Sequence, residues 1–425
     1  MREMKDSGIE WVGKVPKIWS LKPIRALFDE VTEKNFLGTC SNALKFTYGS
    51  IVRKPNFDAD ADDYVASTIL NYTVVEPGTI MLNGLNLNFD FVSQRIGLVK
   101  EKGVITSAYM AFKPNEKQLI DSEFATYLFK AYDGCKAFHN MGGGVRKILN
   151  FNEFKKYYIP LPDLNEQQHI VDLLDTQCSE IDATAEDIQK EISLLEDYKK
   201  SVITEAVTKG LNPDVEMKDS GIEWIGEIPI NWQAVNPRWL FAQRKDRAKK
   251  GMEQYTASQK YGVISQKDYM NRIGGSIVTV QKDFDILKTV CKGDFVIHMR
   301  SFQGGLEYSE HTGSISSAYV MLIPQKNAGE CRYFKWLFKS ASYINALQST
   351  SNLIRDGQAM RYSNFIQIII PYPPLVEQQQ IADFLDSKCS EIDSLIADKK
   401  RQLDILADYK KSLIYEYVTG KKEVI

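Results

Sequence analysis

Cationic and amide side chains in the second half of this 425-residue sequence are the groups best suited to chemistry, and that chemistry is hydrogen bonding to nucleic acid. An Arg guanidinium can donate two hydrogen bonds to one guanine and a Gln amide can bond adenine, whereas a Lys ammonium mostly meets phosphate. The strongest group, at residues 300–305, directly follows a predicted strand. The candidate DNA-contacting residues in this half are Lys260, Lys267, Arg272, Arg300, Ser301, Gln303, Arg355, Gln358 and Arg361.

The first half of the sequence offers an equivalent set that is richer in Asn. Taken alone, each side chain in either set is more commonly a solvated surface residue, so the hypothesis depends on their clustering. The candidate DNA-contacting residues in this half are Arg53, Lys54, Asn83, Asn86, Asn88, Arg95, Asn140, Arg146 and Lys147.

No motif in the sequence predicts catalysis, a metal site or a cofactor site. There is neither a GxxxxGK[ST] phosphate loop nor a GxGxxG run after a strand. The four His residues lack ligand spacing, and the six Cys residues lack the CxxC spacing of zinc sites. The glycines at 142–144 are better interpreted as a mobile loop than as a phosphate cradle. We therefore predict no catalytic residue, no metal and no cofactor for this chain.

The net charge of -2 conceals an uneven distribution. Residues 233–373 carry 19 bases and 10 acids, whereas residues 163–216 carry 14 acids and 4 bases. Residues 20–162 are nearly balanced, with 17 bases and 15 acids. A basic globular segment predicts a polyanionic partner and an acidic segment a protein partner; ordinary surface variation is the alternative, and for residues 20–162 it is equally good.

Neither a run of 18 apolar residues nor a signal peptide is present, which predicts a cytoplasmic protein without a membrane segment. The six Cys residues are then expected to be reduced thiols.

Two long stretches, residues 165–210 and 376–421, predict the helices that position these residues. Both lack Pro, and their apolar residues recur in alternating steps of four and three, as in the seam of a coiled coil. A shift of about 211 positions superimposes their EQQ, CSEID and DYKKS motifs, so the two helices are copies of one repeat. Asn165 is the expected N-cap of the first helix. The predicted seam residues are Leu174, Ile181, Ile188, Ile192, Leu195, Val202, Leu385, Ile392, Ile396, Leu403, Leu406 and Leu413.

A lead segment with the motif MKDSGIEW is also duplicated, at residues 4–19 and 217–232. The repeating unit is therefore a lead segment, a globular domain and a long helix. If the halves are equivalent, the first lead segment should dock near residues 417–422. The predicted regions are a docking segment at 1–19, a first recognition domain at 20–162, a central helix at 163–216, a second lead segment with a second recognition domain at 217–373, and a C-terminal helix at 374–425.

The two globular domains share a predicted framework but differ between its anchors. The first has predicted strands at 47–54, 78–89, 103–114 and 155–162 and a helix at 121–134. The second has predicted strands at 260–267, 293–301, 313–324 and 366–374 and a helix at 329–347. A repeated scaffold with different loops predicts that two different things are read.

Connectivity predicts how the helices run. A compact domain usually has its ends close together, so the second helix should return antiparallel to the first. The predicted fold class is α+β, with two pseudo-symmetric α/β recognition domains separated by a pair of long antiparallel helices that form a coiled coil. Inverted domains at the two tips would suit two separated half-sites on DNA, whose helical turn is roughly 34 Å.

The duplicated DSGIEW-x-G-x-x-P-x-x-W motif, the IP-x-P motif before each long helix, and the EQQ and DYKKS motifs resemble specificity subunits of type I restriction-modification systems. The resemblance covers nearly the whole chain. It implies two target-recognition domains that each read half of a bipartite DNA sequence, with the paired helices as spacer, and a chain that is itself non-catalytic. It also implies three kinds of partner: double-stranded DNA, two methyltransferase (modification) subunits that methylate adenine from S-adenosylmethionine, and restriction (translocase/nuclease) subunits that use ATP and magnesium.

The competing hypothesis is a protein scaffold that gathers partners on paired helices without touching nucleic acid. The surplus of nine bases over acids in residues 233–373 (19 against 10) favours DNA binding.

Overall fold

The computed structural model describes residues 2–54, 68–89, 94–116, 118–144, 147–275, 286–350 and 360–424. The chain forms two compact units: unit 1 comprises Met1–Ile188 and Arg401–Ile425, and unit 2 comprises Gln189–Lys400. Each unit therefore holds one globular domain and part of each long helix. Among the described residues, no helix is both long enough and apolar enough to span a membrane.

The two long helices span Leu164–Lys209 and Leu375–Val418, and each begins one residue earlier than predicted. The expected N-cap, Asn165, is wrong because it lies inside the first turn. Asp163 takes that role instead, since its Oδ1 accepts a hydrogen bond from the Glu166 N–H at 2.9 Å. Gly210 ends the first helix with a φ of 82°, a left-handed conformation that favours glycine.

In unit 2, two ion pairs show that the long helices run antiparallel. Lys199 Nζ lies 2.6 Å from Asp393 Oδ2, and Lys399 Nζ lies 2.5 Å from Glu191 Oε2. In these two pairs, the higher residue number on the first helix goes with the lower residue number on the second, as antiparallel helices require. All four side chains are substantially exposed, so the pairs contribute little stability, on the order of 0–1 kcal/mol each.

The long helices are also antiparallel in unit 1. Lys410 Nζ lies 2.6 Å from Asp182 Oδ1. Arg2 pairs with both Glu166, near the start of the first helix, and Glu423, beyond the end of the second. Lys410 and Asp182 are related by the 211-residue shift to Lys199 and Asp393 of unit 2. The same contact is thus made once in each unit, with the roles of the two helices exchanged.

Apolar side chains at the predicted seam positions of the long helices are shielded from solvent. Leu174, Ile192, Leu385, Ile392 and Leu413 are each at most 2% exposed. The remaining predicted seam residues are buried (Ile181, Ile188 and Ile396) or half-buried (Leu195, Val202, Leu403 and Leu406). Two seam thiols, Cys178 and Cys389, are buried too, and burial raises the pKa of both.

The unit 1 domain is built on a four-stranded antiparallel sheet, and its side chains alternate between two cores. Phe112 and Ile80 pack in the main core with the helix Ser122–Gly134, whereas Met81 and Ala111 belong to a smaller cluster. The sheet order is Phe28–Glu30, Met110–Pro114, Ile80–Leu82, Ile96–Leu98. The other paired strands are Met4–Asp6 with Lys14–Pro16, Ser20–Pro23 with Tyr158–Leu161, Leu44–Thr47 with Ser50–Arg53, and Thr73–Val75 with Gly103–Ile105. The shorter helices are Phe138–Met141 and Phe151–Phe154, and the 3-10 turns are Ile24–Ala26 and Leu87–Phe89.

The unit 2 domain repeats this framework strand for strand. Its antiparallel sheet has the order Phe241–Arg244, Val320–Pro324, Phe295–Ile297, Glu307–Tyr308. The other paired strands are Met217–Asp219 with Glu227–Pro229, Gln233–Val235 with Ile370–Tyr372, Tyr255–Ser258 with Gly262–Ser265, and Lys288–Val290 with Gly313–Ile315. The helices are Gln266–Ile273, Ser301–Gly304, Cys331–Leu337, Ala341–Ser349 and Tyr362–Phe365, with a 3-10 turn at Pro237–Trp239. The predicted α+β class with two α/β domains and a pair of long antiparallel helices is confirmed.

Several predicted elements have different bounds in the structure. The single strand predicted at 47–54 is the second half of a hairpin, because Tyr48 and Gly49 form a turn with φ values of 46° and 75°. The single helix predicted at 329–347 is two helices, because Ser340 accepts a hydrogen bond from the Tyr343 N–H at 3.4 Å and caps a new one. The strand predicted at 260–267 ends at Ser265, where a helix begins. Those predicted at 78–89, 103–114, 293–301 and 313–324 are shorter or interrupted.

In each unit, the lead segment packs on the first turn of a long helix. The Trp19 indole N–H donates to Glu166 at 2.9 Å, and the Trp232 indole N–H donates to Glu377 at 2.6 Å. Both Trp side chains are almost fully buried. The first residue of each EQQ motif therefore accepts the only hydrogen bond that a buried indole can donate.

The second residue of each EQQ motif is fully buried and joins two parts of its domain. Gln167 accepts from the Asp121 N–H at 2.8 Å and donates to the Pro162 carbonyl at 3.0 Å. Gln378 accepts from the Glu330 N–H and donates to the Pro373 carbonyl, both at 2.8 Å. The motif thus fixes how each long helix leaves its domain.

The first lead segment also contacts the end of the second long helix, within unit 1. The Tyr415 hydroxyl donates to the Trp11 carbonyl at 3.0 Å, and Lys421 Nζ donates to the Val12 carbonyl at 2.5 Å. Gly420 lies against Pro16, where an added Cβ would come within 2.3 Å of a ring carbon.

Candidate nucleic-acid interface

In unit 2, the loop between Phe295–Ile297 and Glu307–Tyr308 presents Arg300 to solvent. Arg300 immediately precedes the short helix Ser301–Gly304, and its backbone N–H donates to Nδ1 of the buried His298 at 3.3 Å. The loop conformation is therefore fixed from beneath, while the guanidinium remains available to a partner. This geometry suits a residue that reads a base or holds a phosphate.

Ser301 does not belong to that surface. It is fully buried, and its hydroxyl accepts a hydrogen bond from the His298 N–H at 2.9 Å. The side chain closes the loop rather than facing a ligand, so the sequence-based assignment of Ser301 to DNA contact is wrong. Gln303, on the same short helix, is exposed.

The hairpin Tyr255–Ser258 with Gly262–Ser265 brings Lys260 close to this loop. Gln259, at the hairpin turn, donates to the Gln303 carbonyl at 3.4 Å. An added Cβ on Gly304 would lie 2.3 Å from the Gln259 side chain, which shows how closely the two loops pack. The structure therefore brings the hairpin turn that carries Lys260 against the loop that carries Arg300 and Gln303, although the two are distant in sequence.

An aromatic cluster lies beside the hairpin turn and was missed by the sequence reasoning. The Tyr261 ring has Lys260 Nζ at 5.2 Å and the Arg272 guanidinium at 5.1 Å from its centroid, and Tyr269 meets it edge-on at 6.2 Å. Cations beside the half-buried Tyr261 ring favour nucleic acid, because the ring can stack while the charges meet phosphate. The KY pair at a turn and the three-residue spacing of Tyr269 and Arg272 were the available signals. Lys267 is exposed on the same helix.

Arg361 is exposed at the start of the short helix Tyr362–Phe365, where its backbone N–H donates to Asn364 at 3.0 Å. Asn364 in turn donates to the Thr350 carbonyl at 3.1 Å. The predicted residues Arg355 and Gln358 lie outside the described residues.

In unit 1 the corresponding loop, between Ile80–Leu82 and Ile96–Leu98, contains Arg95, which is only 7% exposed. Its Nη1 donates to the Asn83 carbonyl at 2.8 Å and to the Leu85 carbonyl at 2.7 Å, and its Nη2 donates to the Asn86 carbonyl at 3.3 Å. Every one of these contacts is internal, so the prediction of Arg95 as a DNA contact is wrong.

The loop that Arg95 holds does present amide side chains. Asn86 is exposed with a φ of 48°, and Asn88 is exposed on the 3-10 turn that follows. The Leu87 N–H donates to the carbonyl of Lys147, an exposed residue, at 3.1 Å, so Lys147 lies beside them. Asn83 is half-buried, and its side chain accepts a hydrogen bond from the Leu85 N–H at 3.2 Å. Arg146 lies outside the described residues.

The remaining candidates of unit 1 are peripheral. Asn140 is exposed near the end of the short helix Phe138–Met141. Arg53 is exposed at the end of a hairpin strand, and its guanidinium pairs with Glu101 at 3.1 Å, which offsets its charge. Lys54 follows it and is also exposed.

Part of the basic surplus of unit 2 is structural. Arg244 makes two hydrogen bonds to the buried Asp294, at 2.7 and 2.9 Å, and these bonds raise the pKa of Arg244. This pair ties the edge strand to the turn before Phe295–Ile297. In the part of the chain that the structure describes, no group of three or more His, Cys, Asp or Glu side chains could hold a metal ion.

Comparison with known proteins gives one consistent family. The model of the family described as "Type I restriction modification DNA specificity domain" matches residues 23–194 and 229–404. The chain is 23% identical to the type I restriction enzyme MjaVIII specificity subunit of Methanocaldococcus jannaschii, over 97% of this chain and 94% of that protein.

Two solved structures share the fold. One, from a study of complex assembly and conformational transition of the type I R-M system, has a TM-score of 0.67 at 14% identity and covers 96% of this chain and 99% of its own. The other, the HsdS subunit of Thermoanaerobacter tengcongensis, has a TM-score of 0.52 at 14% identity and covers 96% of this chain and 98% of its own.

Proposed function

Because this chain belongs to the family of type I restriction-modification DNA specificity domains, we propose that two of its loops read the two DNA half-sites. These loops, at residues 83–88 and 298–304, each follow the strand that is third in the order of their domain's sheet. The chain is a non-catalytic sequence-specificity subunit that reads a bipartite DNA target through two recognition domains. Its partners are DNA and the modification and restriction subunits of the complex.

One observation carries the proposal: an identical sheet order supports two different loops. Unit 1 presents Asn86 and Asn88, and unit 2 presents Arg300 and Gln303, between corresponding strands. A scaffold needed only for protein assembly would have no reason to vary the chemistry of these two loops. Asn and Gln suit adenine and Arg suits guanine, so the two half-sites should differ in sequence.

The proposed contact set has a centre and a periphery in each domain. In unit 2, the centre is Arg300, Gln303, Lys260 and Arg272, with Tyr261 as a stacking surface. In unit 1, the centre is Asn86, Asn88 and Lys147. The peripheral candidates are Arg53, Lys54, Asn83, Asn140, Lys267 and Arg361, and the exposed cations among them would meet phosphate. We propose the functional regions 1–19, 20–162, 163–216, 217–373 and 374–425, and a cytoplasmic location, where cellular DNA is accessible.

We further propose that two methyltransferase subunits dock on the long helices. Leu194 and Tyr198 are 68% and 50% exposed on the first helix, and Ile405 and Tyr409 are 67% and 50% exposed on the second. The 211-residue shift relates the two pairs. Exposed apolar pairs at a four-residue spacing form a patch on a helix face, and a repeated patch suits two copies of one partner.

The proposal is tested by DNA-binding titrations of the chain assembled with its modification subunit, at two salt concentrations, followed by mapping of methylated adenines. We expect one bipartite methylated sequence and an affinity that falls steeply with salt, because the protein neutralises phosphates. Binding that is absent, or that does not change with salt, would support the scaffold hypothesis instead.

A further inference from the structure

Both candidate reading loops are held from beneath by a cation of their own domain. In unit 1 that cation is Arg95, whose guanidinium donates to three backbone carbonyls, those of Asn83, Leu85 and Asn86, at 2.7–3.3 Å. A single planar group with five N–H donors thereby fixes the directions of three carbonyls within residues 83–86. Asn86, one of the presented amides, is the last of them.

In unit 2 the same task falls to a lysine and a buried carboxylate. Lys339 Nζ donates to the Gly304 carbonyl at 2.9 Å and pairs with Glu307, whose side chain is 4% exposed. Glu307 Oε1 also lies 3.6 Å from Nε2 of His298, and Nδ1 of His298 accepts from the Arg300 N–H at 3.3 Å. The Gly304 end of the segment 300–304 is therefore tied to the buried Glu307 carboxylate through Lys339, and the Arg300 end is tied to the buried His298 ring.

Close backbone packing removes the remaining freedom of each loop. An added Cβ on Gly84 would lie 2.3 Å from the Leu149 carbonyl oxygen, and one on Gly305 would lie 2.0 Å from the Phe338 carbonyl oxygen. Neither backbone contact leaves room for a side chain. The close backbone contact at the glycine thus fixes how far each loop stands from the rest of its domain, and the cation fixes the orientation of the loop.

We propose that Arg95 and the Lys339–Glu307 pair are positioning residues for sequence discrimination, each acting only on the half-site that its own domain reads. Bidentate recognition of a base requires the reading side chain to be held within about 0.5 Å of its working position. Releasing the carbonyls beneath the loop lets Asn86 or Arg300 reach mismatched bases as easily as the correct one. The proposal depends on the proposed function, because these loops must be the readers.

The test uses the complete chain assembled with its modification subunit, and compares Arg95→Met and Lys339→Met with two exposed controls, Arg25→Met and Lys335→Met. Methylation rates are measured on the cognate DNA and on DNAs with one base changed in either half-site. We expect each positioning variant to lose about tenfold or more of its discrimination at one half-site, the two variants affecting different halves. Discrimination at the other half-site stays unchanged and serves as an internal folding control.

Salt dependence separates positioning from direct contact. A lost phosphate contact would reduce the slope of log K against log salt by about one, whereas a lost positioning contact leaves the slope unchanged. A reduced slope, or an equal loss of discrimination at both half-sites, would overturn the proposal. If either Met variant fails to assemble, Arg95→Lys or Lys339→Arg decides the matter. These variants keep the positive charge but change its reach, and unchanged discrimination in them would overturn the proposal.

A parallel Arg300→Ala measurement distinguishes the two levels of failure. If Arg300→Ala relaxes one half-site but Lys339→Met does not, only the positioning role fails. If neither variant affects discrimination, both the positioning role and the assignment of the reading loop fail.

Discussion

Arg300 and Arg95 lie in corresponding loops of the two domains, yet only Arg300 presents its guanidinium to solvent. The difference follows from what surrounds each group. Three backbone carbonyls converge on Arg95, whereas Arg300 stands at the start of a short helix whose interior is filled by Ser301 and His298. Carbonyl acceptors offset the desolvation cost of burying the Arg95 guanidinium, whereas a guanidinium without such acceptors must stay in water.

Arg300→Ala should weaken discrimination at one position of one half-site by about 1–3 kcal/mol and leave the other half-site unchanged. The reason is the loss of the two hydrogen bonds that only an Arg side chain can make to guanine. Competition binding with single-base variants of the methylated sequence measures the effect. Lys326→Ala, an exposed cation elsewhere in the domain, is the matched control. Intact specificity in the Arg300 variant would mean that another loop reads the DNA.

Residue type and position after a strand were enough to propose which loops read DNA, but they did not predict which way the side chains of those loops face. Ser301 and Arg95 were grouped with the exposed candidates because a sequence does not reveal where carbonyls converge. Tyr261 was overlooked because a tyrosine beside a turn is usually unremarkable until Lys260 and Arg272 are found at its ring.

The long helices were the most predictable elements, and physical chemistry explains why. The two long helices, of 46 and 44 residues, contain no Pro, and their apolar residues recur at a regular spacing. Many weak signals therefore add up along each helix. The strands were harder, because three-residue strands such as Ile80–Leu82 contain too few residues to establish a period. The helix boundary at Ser340 depended on a single capping hydroxyl.

Ile192→Asp and Leu194→Asp should separate helix pairing from partner docking. Ile192 is 2% exposed in the seam, so an aspartate there buries an unpaired charge and should lower Tm strongly and abolish assembly for every DNA target. Leu194 is 68% exposed, so an aspartate there should leave Tm nearly unchanged but weaken binding of the modification subunit. Thermal unfolding and co-purification with that subunit measure the two effects. Equal Tm losses would contradict the assignment of the two faces.

At the scale of the whole molecule, the repeat explains most of what the sequence revealed. A shift of 211 residues relates the long helices, a shift of 213 residues relates the lead segments, and the sheet order is the same in both domains, so each feature was in effect observed twice. The loops do not follow the repeat, so for them the sequence showed only which residue types are present. Fold and family were therefore accessible from pattern, whereas individual contacts required coordinates.

Trp19→Phe and Trp232→Phe should destabilise the protein by similar amounts, about 1–3 kcal/mol each. Each change removes the indole N–H that donates to Glu166 or Glu377, and among the described residues each carboxylate keeps only its other donor, Arg2 or Asn231. Denaturant unfolding of the two variants and the double variant measures the costs. A large difference between the single variants would contradict the equivalence of the two lead segments.

The exchanged contacts of Lys199 with Asp393 and of Lys410 with Asp182 bear on how such a chain could arise. A half-length ancestor would have carried one such lysine and one such aspartate on a single helix, and neither could have met the other there. A second copy of the same polypeptide would have satisfied both at once, in a symmetric homodimer. Gene fusion would then have joined two partners that already recognised each other, and would have left each half free to diverge in its loops.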